Sequence, residues 1–211
     1  MMTENQKIRL DLINRFSSVC EAKKAYEFVM GDEEAAVETK DGIYLIYDNG
    51  SYAPFTGGNP KENIKSVGVV FQGHSFAVAL NDLHDQYALV RDKDKCERES
   101  PLYKSEVDSI FDWDAEAHTK LIVEAGTDIP LKDGEFIPTA AMLVAMYRLR
   151  EDLNKALVYA GGEALKTDDY YWSSSEIGAY FSWFLGFSIG YLYYSSKYNS
   201  YYVRPCTAFE L

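Results

Sequence analysis

From Tyr170 to Tyr202 the chain reads YYWSSSEIGAYFSWFLGFSIGYLYYSSKYNSYY, a tract with nine Tyr, eight Ser and only two charged residues, Glu176 and Lys197. Aromatic residues favour pleated, half-buried strands over helices, so this tract is expected to form β-structure. It is also too poor in charge to be an ordinary solvated face. Tyr offers a large, rigid, amphipathic surface and Ser offers adaptable hydrogen bonding, the mixture that binding loops use. An uncharged aromatic patch on a charged protein marks an interaction site.

Strand alternation divides the tract. In Trp183-Phe184-Leu185-Gly186-Phe187, one face carries Trp183, Leu185 and Phe187 and reads as core. The other carries Phe184 and Gly186, continues to Ser188, and reads as open. Ser188-Ile189-Gly190 is expected to turn the chain, after which Leu192 faces inward and Tyr191 and Tyr193 face outward. Tyr194-Ser195-Ser196-Lys197-Tyr198-Asn199-Ser200 is too polar for core, and Val203 returns to the interior. Trp172 joins the expected scaffold.

The rest of the 211-residue chain is ordinary and acidic, with a formal net charge of −12. Phosphate binding needs clustered Lys and Arg, so nucleic acid and anionic membrane surfaces are poor partners. Cys20, Cys96 and Cys206 are widely spaced and odd in number, giving no disulfide framework and no paired metal motif. The start, MMTENQKIRLDL, lacks the apolar core of a signal peptide, and no run approaches the length of a membrane span. The expectation is a cytoplasmic or virion-associated protein without membrane insertion.

Residues 5–29 carry Ile8, Leu12, Ile13, Phe16, Val19, Cys20 and Tyr26 near one helical face, ended by Gly31-Asp32-Glu33-Glu34. An N-terminal helical segment is therefore expected over 1–40. A β-rich stretch follows. Ile43–Tyr47 is β-branched and aromatic, and Asn49-Gly50 signals a turn. Val67–Phe71 and Ser75–Leu80 flank Gln72-Gly73-His74 as a hairpin, and Tyr87–Val90 reads as another short strand. Arg91–Pro101 is charged and reads as a loop. Asp112 or Asp114 can cap a helix running to about Ala125 with Gly126 as its stop. Pro138 fits the first turn of a second helix through Leu149, and Glu151–Tyr159 reads as a third, ended by Gly161-Gly162.

Catalytic and metal motifs are absent from this pattern. His74, His84 and His118 sit in no H-E-x-x-H arrangement. Ser173-Ser174-Ser175-Glu176 has capping-box spacing but no nucleophile elbow around it. The aromatic residues that follow favour a strand end or turn there. Asp108, Asp112, Asp114 and Glu116 lack EF-hand spacing and read instead as acidic residues at a helix start. No catalytic residue, metal ligand or cofactor site is expected.

Tyr171-Trp172-Ser173-Ser174-Ser175-Glu176, then Trp183, Gly190, Lys197, Val203-Arg204-Pro205 and Phe209, resembles the C-terminal half of bacterial and phage C-type-lectin-fold proteins. More narrowly, it resembles the variable proteins diversified by diversity-generating retroelements. The stretch Gly68–Asp82 (GVVFQGHSFAVALND) and the helices leading to Gly161-Gly162 are similar to that group as well. The resemblance covers about residues 41–211 and implies an α+β, C-type-lectin-like ligand-binding domain with a variable region at about 171–205. Two departures stand out. Cys206 follows Val-Arg-Pro where a small apolar residue is more usual, and Ser182 precedes Trp183 where Ala is common.

In that family, adenines in the template's AAC or AAT codons are randomised during copying. Such codons can become Tyr, Ser, Asn, Phe, Ile, Gly or Ala, and cannot become Trp, Lys, Glu, Gln or Met. The resemblance thus implies that Ile177, Gly178, Ala179, Tyr180, Phe181, Phe184, Gly186, Ser188, Ile189, Tyr191, Tyr193, Tyr194, Ser195, Ser196, Tyr198, Asn199, Ser200 and Tyr202 form the variable, ligand-binding surface. Trp183, Glu176 and Lys197 fall outside the reachable set, at positions expected to belong to a fixed frame. The implied function is recognition of a protein or glycan ligand, with no catalysis. The absence of an E-P-N or Q-P-D tripeptide gives no reason to expect the calcium site of carbohydrate-binding lectins. Two other readings stay open at this point. One is a non-variable adhesin or carbohydrate-binding module on the same fold. The other is an enzyme of the formylglycine-generating type, which relies on a cysteine pair that Cys96 and Cys206 do not mark by any local motif.

Overall fold

A computed structural model describes residues 40–91 and 100–211. The expected N-terminal helix, residue Cys96 and most of the charged loop before Pro101 lie outside these residues.

Strand β1 (Gly42–Tyr47) runs into a tight turn at Asn49-Gly50, where Asn49 Oδ1 accepts hydrogen bonds from the amide and hydroxyl of Ser51. The chain then returns as β2 (Tyr52–Pro54) and pairs antiparallel with β1. The apolar runs expected as a hairpin are β3 (Ile64–Phe71) and β4 (His74–Val78). Their connection is the two-residue turn Gln72-Gly73, with φ of 52° and 82°. Two positive φ values match the right-handed strand twist that a tight hairpin needs. His74 therefore belongs to β4 and not to the turn, and its ring stacks flat on Trp113 at 4.0 Å.

Two later strands complete this sheet, β5 (Glu135–Phe136) and β9 (Cys206–Ala208), in the order β2-β1-β3-β4-β9-β5, with every pair antiparallel. Leu45 lies opposite Val67, and Val67 opposite Val78, all fully buried. That is why these strands read as continuous apolar runs: the centre of the sheet is covered.

Helix α1 (Glu106–Ile110) is short and capped by Ser105, and the sequence pattern did not announce it. Helix α2 (Ala115–Glu124) starts at the Asp114 cap, whose carboxylate accepts from Ala117 N at 3.1 Å. Helix α3 (Ala140–Arg148) is capped by Thr139, so Pro138 stands before the cap and not in the first helical turn. The reason is local bonding: the Pro138 carbonyl accepts from Ser174 N at 2.9 Å, which holds it against the neighbouring strand. Helix α4 (Arg150–Tyr159) follows at once. Leu143, Met146, Leu153 and Leu157 from α3 and α4 pack with Leu45, Val69 and Phe76 of the sheet in the main core.

Tyr87–Val90 is not a strand. Tyr87 makes one bridge to Tyr201, and then Leu89 and Val90 both donate to the Lys197 carbonyl while their side chains bury beside Trp172 and Val203. Two successive amides directed at one carbonyl do not make the alternating bonds of a ladder. The remaining strands, β6 (Tyr170–Ile177), β7 (Phe181–Gly186) and β8 (Tyr191–Ser196), form a separate three-stranded antiparallel sheet. The described chain is a mixed α+β fold. Among the described residues no helix is long and apolar enough to cross a membrane.

Candidate recognition surface

The aromatic tract is the β6-β7-β8 meander and the segment that follows it. Its frame is built from below. Trp172 is fully buried and donates its indole N–H to the Tyr87 carbonyl at 2.8 Å. Trp183 donates to Ser109 Oγ of α1 at 2.8 Å. Leu185, Phe187 and Val203 are buried, and Leu192 is half-buried against the cores on either side of it.

The three serines after Trp172 are also frame. The β6–β7 register shifts between Trp172 and Glu176, so residues 173–175 leave the ladder and their backbone groups need other partners. Ser182 Oγ reaches the carbonyls of Ser173 and Ser175 at 3.1 and 2.8 Å. Ser174 Oγ donates to the Ile137 carbonyl, and Ser175 Oγ accepts from Ala140 N at 3.0 Å. These hydroxyls are spent on main chain and face no ligand.

Glu176 and Lys197 form a buried ion pair, Nζ to Oε1 at 2.5 Å. The same ammonium donates to the carbonyls of Ala179 (2.9 Å) and Gly178 (3.3 Å), while Lys197 N donates to the Tyr180 carbonyl. Lys197 therefore fixes the β6–β7 turn against the end of β8. A second buried pair, Arg204 with Asp82, lies where the chain leaves the tract. The guanidinium also donates to the carbonyls of Ala79, Leu80 and Glu163, and Asp82 Oδ2 accepts from the Tyr171 hydroxyl at 2.9 Å. Burial first, then the Asp82 charge, raises the pKa of that hydroxyl above the usual phenol range.

Above this frame lies the surface. Of the expected binding residues, Tyr180, Phe181, Ser188, Ile189, Tyr191, Tyr193, Asn199 and Ser200 are exposed. Gly178, Ala179, Tyr194, Ser195, Ser196, Tyr198 and Tyr202 are partly covered. Tyr191 and Tyr193, at 45% and 46% exposure, stack at 5.7 Å, and Tyr193 stacks on Tyr194 at 4.6 Å. Ile189 stands at the tip of the β7–β8 turn, and Gly190 beside it has φ 74° with the Tyr147 ring 2.6 Å from where a Cβ would stand.

Three expected surface residues are not on the surface: Ile177, Phe184 and Gly186 are buried. Ile177 packs with Trp183 and Ala140. The cause at Phe184 is that β7 is the central strand, covered on both faces. The rings of Tyr170 and Tyr201 each come within about 5 Å of Phe184, and those of Tyr191 and Tyr193 lie at 6.1 and 6.5 Å. Phe184 is the floor of a tyrosine platform and not one of its contacts. Gly186 lies under the Tyr170 ring, 3.0 Å from its added Cβ. Tyr170, exposed beside Phe184, belongs to the platform although it lies outside the expected set. Tyr201, half-buried against Trp172, joins it there. Both are tyrosines at the margins of the same Tyr-rich tract, and that was the available signal.

Elsewhere, Cys206 is buried, and burial pushes its thiol pKa far up, which disfavours the thiolate. Asp112 lies at the helix start as expected. Partial burial raises its pKa, but the hydrogen bond from Asp114 N and the contact with buried His118 (3.2 Å) outweigh this, and its carboxyl titrates below the usual value. Among the described residues no three His, Cys, Asp or Glu side chains are grouped to hold a metal ion.

No protein-family model matches the chain, and no curated protein matches it. Among solved structures, the chain is similar to a fimbrial protein from Bacteroides ovatus ATCC 8483, with a TM-score of 0.48 and 15% identity. The match covers 81% of this chain and 49% of that one, so the chain spans about half the length of its structural neighbour.

Proposed function

We propose that residues 41–211 form a C-type-lectin-like ligand-recognition domain whose β6-β7-β8 sheet displays a surface diversified by a retroelement. The domain acts by binding and not by catalysis: a fixed frame holds the backbone, and exposed Tyr, Ser and Asn side chains set specificity. One observation carries this reading. Within a single stretch, the residue types that AAC and AAT codons cannot reach are buried and bonded: Trp172 to main chain, Trp183 to the Ser109 hydroxyl, and Glu176 and Lys197 to one another, with Lys197 also on main chain. The reachable types on the solvent side include Tyr180, Phe181, Ser188, Ile189, Tyr191, Tyr193, Asn199 and Ser200, while Tyr171, Ile177, Phe184, Gly186, Phe187 and the frame serines are buried. Large aromatic anchors dominate binding energy at such surfaces, which points to Tyr191, Tyr193 and Phe181.

Sequencing this gene across a population tests the proposal. Substitutions should concentrate at the exposed positions and spare Trp183, Glu176 and Lys197, with Phe184 and Gly186 changing rarely because they are buried. Variation spread evenly over residues 41–211 would rule the proposal out.

A further inference from the structure

The edges of the two sheets are not alike. β2 is three residues long and ends in Pro54, and β5 is two residues long. The outer side of β6 is occupied: Trp172 N donates to the Tyr202 carbonyl, Tyr202 N to the Tyr170 carbonyl, and Ser174 N to the Pro138 carbonyl. β8 is different. It has six residues, an unbroken register with β7, and no proline, charge or bulge within it. Proteins ordinarily blunt an exposed edge with those devices, because an open edge templates strand pairing.

The direction of the β8 main chain follows from its register. Lys197 N donates to the Tyr180 carbonyl at 3.0 Å, in line with the pairing of Phe181 with Ser196. Hydrogen-bonded pairs alternate along an antiparallel ladder. Tyr191, Tyr193 and Ser195 therefore spend their amides and carbonyls on β7, and Leu192 and Tyr194 point theirs away from it. Among the described residues, neither of these two has a main-chain partner on that side. They present donor and acceptor pairs about 6.8 Å apart, the repeat of a strand.

We propose that the β8 edge takes an extended polypeptide segment as its ligand, paired to the main chain of Leu192 and Tyr194. This rests on the reading of the β6-β7-β8 sheet as the recognition surface, and it names the ligand class of that surface. Main-chain pairing is the chemistry that a row of unpaired amides and carbonyls recognises, and alternate side chains then supply specificity. A second copy of the chain is the less suitable occupant, since each copy carries a net charge of −12 and two copies repel. Pairing through the backbone also suits a surface whose side chains change. Affinity from Leu192 and Tyr194 amides survives replacement of the tyrosines and serines around them, and only selectivity is rewritten.

The experiment selects linear peptides on the full chain from a displayed random library, then scans one selected peptide by N-methylation. Pairing predicts a period of two: methylation at alternate amides weakens binding about tenfold or more, and methylation between them has little effect. On the protein side, Tyr194→Pro should weaken binding about tenfold beyond Tyr194→Ala, since both remove the ring and only proline removes the outward amide. That amide points away from β7, so the ladder with β7 is kept. Near-UV circular dichroism checks this, and if the proline variant fails to fold the N-methyl scan decides alone. Selected peptides that tolerate methylation everywhere, yet lose binding in Tyr191→Ala and Tyr193→Ala, overturn the pairing and leave the recognition surface standing. Peptides indifferent to both the methyl scan and those tyrosines count against the pairing and the surface together. Failure to select any peptide overturns the pairing. So does dimerisation abolished by Tyr194→Pro, which assigns the edge to a second copy. Strong exchange protection of the Leu192 and Tyr194 amides in the free chain also overturns it, because another part of the chain then holds the edge.

Discussion

In the six-stranded sheet the facing residues Leu45, Val67 and Val78 are fully buried aliphatics. In the three-stranded sheet the buried positions include Ser173, Ser174, Ser175, Ser182, Glu176 and Lys197. The first sheet is held by apolar area, which is roughly additive and indifferent to direction. The second adds to its buried aromatics a set of directed bonds from hydroxyls, indoles and an ion pair, most of them to specific main-chain groups. The difference teaches how a surface can be made free to change. On the proposed reading, fixing the backbone of β6-β7-β8 from beneath leaves the outermost tyrosines less committed to the fold and open to a ligand.

The sharpest way to break this contrast is at the joint between the two sheets. Arg204 ties the segment after β4 to the segment after α4 through its bonds to Ala79, Leu80, Asp82 and Glu163. Arg204→Met leaves Asp82 buried without its main counter-charge and should cost about 3–5 kcal/mol in chemical denaturation. A loss below about 1 kcal/mol would mean that the directed bonds are not what holds this region. Phe184→Ala comes next. It empties the floor of the tyrosine platform and should cost about 3–4 kcal/mol, with the cavity collapsing only in part. A surface anchor would lose far less, so this variant separates floor from contact. Gly190→Ala should cost about 1–3 kcal/mol, because it places a side chain in the left-handed region and against the Tyr147 ring. If thermal melting of that variant matches the parent, the β7–β8 turn is softer than its packing suggests.

Which parts of this were legible in the sequence follows from how many faces an element buries. β1, β3 and β4 were visible because aliphatic runs bounded by Asn49-Gly50 and Gln72-Gly73 leave few alternatives. The α2 and α4 helices were visible through Asp114 and Gly161. The half-covered strand β8 was legible, since Leu192 and its neighbours Tyr191 and Tyr193 alternate as a one-sided strand must. β7 is not legible at Phe184 and Gly186 because alternation carries no signal when both faces are covered. The cover over Phe184 comes largely from Tyr170 and Tyr201, which are distant from it in sequence or paired across strands. Tyr87–Val90 failed for a related reason: its partner is Lys197, and no local pattern encodes a contact of that range. The serine at 182, where the resemblance makes alanine usual, is explained by its hydroxyl, which bonds the carbonyls of Ser173 and Ser175, a non-local role that no local pattern encodes.

The smallest expected effect on stability is the most informative about function. Tyr193 is 46% exposed, stacks on Tyr191 and Tyr194, and points its main chain toward β7. Tyr193→Ala removes three ring contacts and no backbone bond, so the domain should lose no more than about 1 kcal/mol. The same ring lies beside Phe184, whose removal is expected to cost several times as much, although both are aromatic residues directly paired in one ladder. Parallel denaturation curves of the two variants measure that ratio without knowledge of any ligand. A ratio near one would make Tyr193 a structural residue and remove the ground for treating the strip as a display. A ratio well above one puts the fold's energy in the floor and leaves the tyrosine free for recognition, which is the property a diversified surface must have.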